Sequence, residues 1–175
     1  MLWQQHSFST FVFYFKAMDI KKTNAVRILD RLNIEYQLHT YEVDENDLSA
    51  THVAECVGQN VDQVFKTLVL RGDKTGLLVA IIPGAMELDL KLVAKASENK
   101  NVEMIAMKEL LPLTGYIRGG CSPLGMKKKF QTYIDETCIL FDAIFVSAGV
   151  RGMQIEIAPA DLIKSTEAIV CNLIF

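Results

Sequence analysis

The sequence predicts an α+β fold, with a mixed, largely antiparallel, curved sheet and helices around it. Three observations point there. The β-rich runs mostly follow one another directly, the helical patterns interrupt them irregularly, and neither a strand–GxGxxG–helix unit nor a P-loop occurs. A doubly wound parallel sheet would show a regular beat of strand and helix instead. The 175 residues, 50% hydrophobic and 22% charged, suit one folded domain with its own core.

The elements follow in order. Residues 22–33, KTNAVRILDRLN, set Ala25, Ile28, Leu29 and Leu32 on one helical face, with Thr23 or Asn24 as cap. IEYQLHTYEV alternates as a strand. After an acidic loop, a short helix is capped near Ser49 and stopped by Gly58, and Asn60 caps a further turn. FKTLVLRGDKTGLLVAIIPG is the clearest hairpin, two β-rich runs joined by RGDKTG. ELDLKLVAKASENK reads as an amphipathic helix capped by Asp89, with Leu90, Val93, Ala94 and Ser97 inward. VEMIA is a short strand, MKELLPLTG a helix expected to break before Pro112, and GYIRGG a strand entering a glycine loop. FQTYID, AIFVSAG and MQIEIAP alternate as strands, APADLIKSTEA is a late helix, and IVCNLIF ends the chain as a strand or packed tail.

Bulk properties narrow the function. A net charge of −3 gives no general case for nucleic-acid binding, so any such site must be a local patch. The four cysteines, Cys56, Cys121, Cys138 and Cys171, form no CxxC pair, and there are only three histidines. Neither a metal site nor a cofactor is expected, and the thiols are read as reduced in a cytoplasmic protein. The aromatic run Phe11–Phe15 is too short to span a bilayer, so no membrane partner is expected. MDIKKTNAVRIL reads like a natural start, so residues 1–17 are expected to be an extension preceding a domain of residues 18–175; the rival reading is a hydrophobic arm.

The stretch GYIRGGCSPLGMKKKF carries the main chemical question. Gly119 and Gly120 permit close approach to backbone, while Pro123 fixes its own φ and restricts Ser122. Such a loop either presents N–H groups to an anion or oxyanion, or is an ordinary tight turn. Cys121 as a nucleophile would need an activating base, and no Cys–His pairing is legible; a small residue fitted into a loop is the simpler reading. Lys66, in VFKTLV, lies on an otherwise apolar strand face, either snorkelling at a sheet edge or held in a pocket where it could orient a carbonyl. Lys127, Lys128 and Lys129 read most simply as a solvated turn, with Arg118 and Arg151 able to extend a basic rim.

Taken in order, VFKTLV, LDLKLVAKA, TGYIRGGCSPLGMKKKF and AIFVSAGVRGMQIEIAPADL resemble the YbaK/EbsC family of freestanding aminoacyl-tRNA deacylases, relatives of the editing domain of bacterial prolyl-tRNA synthetase. The resemblance covers about residues 21–168. It implies a mixed, mainly antiparallel, partly barrel-like sheet surrounded by helices. It also implies a trans-editing hydrolase acting on the 3′ end of mischarged tRNA, with Cys-tRNA(Pro) the typical substrate. The family's required lysine falls on Lys66 and its GxxxP loop on Gly119 to Pro123, with Gly120 nearest the scissile carbonyl. Gly119, Cys121, Ser122, Pro123 and Thr67 then become substrate-binding positions. In the mechanism the family suggests, the substrate's thiol attacks its own carbonyl, which accounts for the lack of a triad. Prolyl-tRNA synthetase is the implied partner in a ternary complex. Editing of another small amino acid such as alanine, a non-catalytic module gripping tRNA ends or a synthetase, and a thiol enzyme using Cys121 are the alternatives. This chain has VSAG, with Ala148, where the family often has VSGG.

Overall fold

Thr23 opens the first helix, α1 (Asn24–Leu32), by accepting the Val26 N–H at 3.3 Å, and Asn33 closes it in the left-handed region at φ 53°. The computed structural model describes residues 22–175, so the expected extension of residues 1–17 lies outside the described residues. Strand β1 (Gln37–Thr40) leads to α2 (Ala50–Val57), capped by Ser49 and stopped by Gly58 as the sequence predicts. A single 3-10 turn capped by Asn60 feeds the hairpin of β2 (Phe65–Gly72) and β3 (Gly76–Pro83). Asp89 caps α3 (Leu90–Ala96) with bonds from Lys91 N and Leu92 N. The chain continues through β4 (Val102–Met104), α4 (Met107–Thr114), β5 (Gln131–Asp135), β6 (Ile144–Ser147), β7 (Met153–Ile157), α5 (Pro159–Thr166) and β8 (Ile169–Cys171).

The strands form two sheets, ordered β4-β2-β3-β5-β8 and β1-β7-β6. Pairing is antiparallel except for β3–β5 and β5–β8, so the expectation of a mixed, mainly antiparallel sheet holds. The sheets touch through a parallel bridge between Val64 and Phe145 and do not close into a barrel. Leu29 of α1, Phe65 and Val69 of β2, Val146 of β6, Ile155 of β7 and Leu162 of α5 meet in the main core. A second core packs Val93 of α3 on the other face of the large sheet, with Leu70, Leu78 and Ile82. These apolar faces supply the drive that fixes the positions of the strand ends.

Three expectations change. Helix α4 runs through Pro112 instead of breaking before it. The carbonyl that loses its bond, on Lys108, belongs to an exposed residue, and Glu109 ties the helix start by accepting the Ala106 N–H at 3.0 Å. GYIRGG forms no strand. Tyr116 is buried, its O–H donating to the Leu124 carbonyl at 2.6 Å, and Gly120 N–H turns back to the Ile117 carbonyl at 3.0 Å. The Tyr116 N–H donates to Thr114 Oγ1 at 3.0 Å, so this bond and the Gly120–Ile117 bond take backbone groups a ladder would need. Leu90, read as inward, is 38% exposed, because α3 buries Val93, Ala94 and the Ser97 that follows it.

Candidate active site

Strand β2 is paired along its whole length on one side only, by β3. On the other, β4 reaches Leu70 to Gly72 and β6 touches only at Val64, so the middle of β2 faces a gap between the two sheets. Val64 O accepts Gly84 N on the β3 side at 2.7 Å, whereas Val69 O accepts Ile105 N on the gap side at 3.3 Å. Successive backbone groups alternate sides along a strand, which turns the N–H and C=O of Thr67 toward the gap. A cavity of about 410 Å³ lies there, roofed by the start of α2, the β4–α4 connection and the Arg118–Cys121 turn.

Lys66 is in this cavity, which decides between the two readings of a lysine on an apolar strand face. The half-buried ammonium donates to the carbonyls of Gly84 at 3.0 Å and Met86 at 2.7 Å. An ammonium has three donors, so one is left for a ligand. Burial pulls the Lys66 pKa below its ordinary value, partly opposed by the nearby Glu87. Its neighbour Thr67 has its hydroxyl oxygen fully buried with no hydrogen-bond partner among the described residues. A buried polar atom left without a partner is costly and calls for an explanation in function.

The glycine loop divides in two. Gly119 and Cys121 line the cavity, together with Arg118, whereas Gly120, Ser122 and Pro123 do not. Gly119 takes φ 81°, a left-handed conformation that glycine adopts without strain. A side chain on Gly120 would meet Arg151 N at 3.1 Å and Val150 Cα at 3.2 Å, so the loop is clamped against the β6–β7 connection. The Gly120 N–H is committed to Ile117, and buried Ser122 accepts the Leu124 N–H at 3.2 Å. These residues hold the shape behind the wall. Burial pushes the Cys121 thiol up to about 12, which keeps it protonated and unreactive at neutral pH. The lysine run is exposed, as the sequence suggests: Lys127 Nζ donates to the Pro112 carbonyl at 3.2 Å, and Lys129 pairs with Glu167. Arg151 donates to the Arg118 carbonyl at 2.9 Å and pairs with Glu45.

The second sheet adds two residues that the sequence reading did not single out, Ser147 on β6 and Gln154 on β7. They are direct cross-strand partners. The signal available was Gln154 as a polar residue within MQIEIAP, a run read only as an alternating strand. Among the described residues, no aspartate or glutamate lines the cavity, and no group of three His, Cys, Asp or Glu could hold a metal ion. The cavity is thus an apolar slot with cationic and neutral polar groups, suited to a small ester or acyl group and its oxyanion.

The profile of the aminoacyl-tRNA editing domain matches residues 44–165. An Enterococcus faecalis protein named "Putative Cys-tRNA(Pro)/Cys-tRNA(Cys) deacylase EbsC" is 53% identical over 146 residues, 83% of this chain and 89% of its own. Among solved structures, "a putative trans-editing enzyme for prolyl tRNA synthetase" shares the fold with a TM-score of 0.73 and 24% identity, over 87% of this chain and 97% of its own. Hypothetical protein APE2540 does so with a TM-score of 0.79 and 18% identity, over 86% and 99%. The chain belongs to the aminoacyl-tRNA editing domain family, the relationship to which its ordered motifs pointed.

Proposed function

We propose that the chain is a trans-editing deacylase that cleaves the ester of mischarged tRNA, with Cys-tRNA(Pro) as its principal substrate. The observation that carries this reading is the cavity itself. It brings a partly desolvated ammonium, Lys66, to a slot whose one thiol, Cys121, is held protonated by burial. A site with an oriented cation and no activated nucleophile suits a substrate that brings its own.

In this mechanism the tRNA 3′ end enters the gap along β2. The free donor of Lys66 takes the ester carbonyl oxygen or the terminal ribose, and the backbone edge of Thr67 aligns the acyl group. The substrate's sulfur attacks its carbonyl carbon, the bond to the ribose oxygen breaks, and the thiol proton passes to that oxygen. The product is a cyclic thioester that water then opens. Gly119 lets the loop come close to the acyl group, with Gly120, Ser122 and Pro123 holding that loop from behind and Cys121 forming part of the wall.

The net charge of −3 gives no general electrostatic drive for gripping tRNA alone. Prolyl-tRNA synthetase would therefore supply tRNA selection in a ternary complex, and charged tRNA places the work in the cytoplasm. No helix among the described residues is long and apolar enough to cross a membrane.

The test is a panel of tRNA(Pro) charged with cysteine, serine, alanine or proline. Substrate-thiol chemistry predicts hydrolysis of the cysteinyl ester at least about a hundredfold faster than the seryl ester. Equal rates would mean that the enzyme activates water, and a preference for alanine would move the substrate assignment.

A further inference from the structure

The cavity has a polar side chain with nothing to do. Gln154 is only 5% exposed, and its amide makes no hydrogen bond among the described residues, yet it lines the cavity opposite the β2 edge. Its strand partner Ser147 also lines the cavity, but the Ser147 hydroxyl already accepts the Gly149 N–H at 3.2 Å. Thr67 Oγ1 is the one fully buried side-chain polar atom without a partner among the described residues, so the Gln154 amide, with two donors and an acceptor, reaches the open cavity and is available to a ligand.

The distribution of donors and acceptors suggests which end of the substrate Gln154 meets. Lys66 and Arg118 can only donate through their charged groups, so they serve the carbonyl, ribose or phosphate end. An aminoacyl ester also carries an α-amine, whose protons need acceptors. No carboxylate among the described residues lines the cavity. Of the hydroxyls there, Ser49 is already engaged in capping α2 and Ser147 in its own turn. Two side-chain acceptors remain without partners, the Thr67 hydroxyl beside Lys66 and the Gln154 amide across the gap.

Building on the proposed function, we infer that Gln154 is the residue that binds the substrate's α-amino group, its amide oxygen accepting an amine proton and thereby orienting the acyl carbon toward Lys66. A neutral acceptor holds the amine without neutralising the cationic side of the cavity, which a carboxylate in the same place would do. The amide N–H remains free for the substrate's sulfur or for water. Gln154 is thus a substrate-positioning residue specific for α-amino acyl groups.

The experiment compares two esters of the same tRNA(Pro), one carrying cysteine and one carrying 3-mercaptopropionate, which keeps the thiol and lacks the amine. Gln154→Leu should lower kcat/KM for the cysteinyl ester by about tenfold while leaving the mercaptopropionyl ester within twofold of wild type. Gln154→Glu, which retains an acceptor, should keep the preference for the aminated ester. Melting curves of both variants establish that they fold. An equal loss on both esters in folded Gln154→Leu means a structural role and overturns the inference, as does an unchanged rate on the cysteinyl ester. Wild-type protein that leaves Cys-tRNA(Pro) intact overturns the deacylase reading and this inference with it, so the two failures are told apart by the wild-type arm.

Discussion

Thr67→Val should make the protein more stable and less active. The substitution keeps a β-branched side chain and exchanges the buried, unpartnered hydroxyl oxygen for a methyl group. Leaving a buried hydroxyl without a partner costs about 1–3 kcal/mol, so its removal should return much of that. For a chain of this length each kcal/mol moves Tm by about 2–4 °C, so a recovery of about 1–2 kcal/mol predicts a rise of roughly 2–8 °C. If the missing partner is the substrate, its loss removes one neutral hydrogen bond from the bound state, about 0.5–1.5 kcal/mol, or threefold to tenfold in kcat/KM. Thermal melting and single-turnover deacylation of Cys-tRNA(Pro) read the two effects separately. A fall in Tm would mean that the hydroxyl is satisfied in the folded protein. A rise in Tm with unchanged activity would mean that the cavity's ligand does not use it.

Gly120→Ala places a methyl against the backbone of Val150 and Arg151, neither of which yields as a flexible side chain would. Overpacking of that kind costs about 1–3 kcal/mol, and it displaces the loop that bears Gly119, so Tm and deacylation should fall together. Cys121→Ser should retain deacylation within about threefold, and iodoacetamide at neutral pH should label exposed Cys56 before Cys121. Alkaline unfolding has a fixed sign. Burial raises Cys121 to about 12 and Cys138 to about 11 from an ordinary value of 9.0. The folded state therefore keeps protons that the unfolded chain releases, so this stability is full below pH 9 and declines as pH rises toward the folded values, with Tyr116 adding the same sign above pH 10. Urea midpoints at pH 8, 9 and 10 check the trend, and Cys121→Ser should flatten it.

Much of the framework was legible because local chemistry and tertiary packing agree. Thr23, Ser49, Asn60 and Asp89 are all side-chain caps, and Gly58 stops its helix in the left-handed region. The RGDKTG turn joins two apolar runs that pair as an antiparallel hairpin from Phe65–Pro83 to Gly72–Gly76. The misreadings lie where tertiary context overrides a local rule. Pro112 sits in a surface helix whose lost bond falls on an exposed residue, and Tyr116 is pinned by Leu124 and draws GYIRGG out of any ladder. At the site, Lys66 was legible as a residue out of place on an apolar face, but the choice between edge and pocket needed the gap between β4 and β6. Gln154 was missed because alternation assigns alternate strand residues to solvent, whereas the face of β7 that bears it is roofed by the cavity. Among the GxxxP residues, sequence could not separate those that face the cavity, Gly119 and Cys121, from those that support it.

The central claim is that Lys66, held by the Gly84 and Met86 carbonyls, is the group on which ester cleavage depends. The most direct measurement is the single-turnover rate of Cys-tRNA(Pro) deacylation by Lys66→Ala beside wild type, with binding of uncharged tRNA and a melting curve as controls. Losing an oriented electrostatic contact to the reacting ester predicts a fall of about a hundredfold or more in folded protein that still binds tRNA. A folded Lys66→Ala variant that deacylates within threefold of wild type would contradict the account.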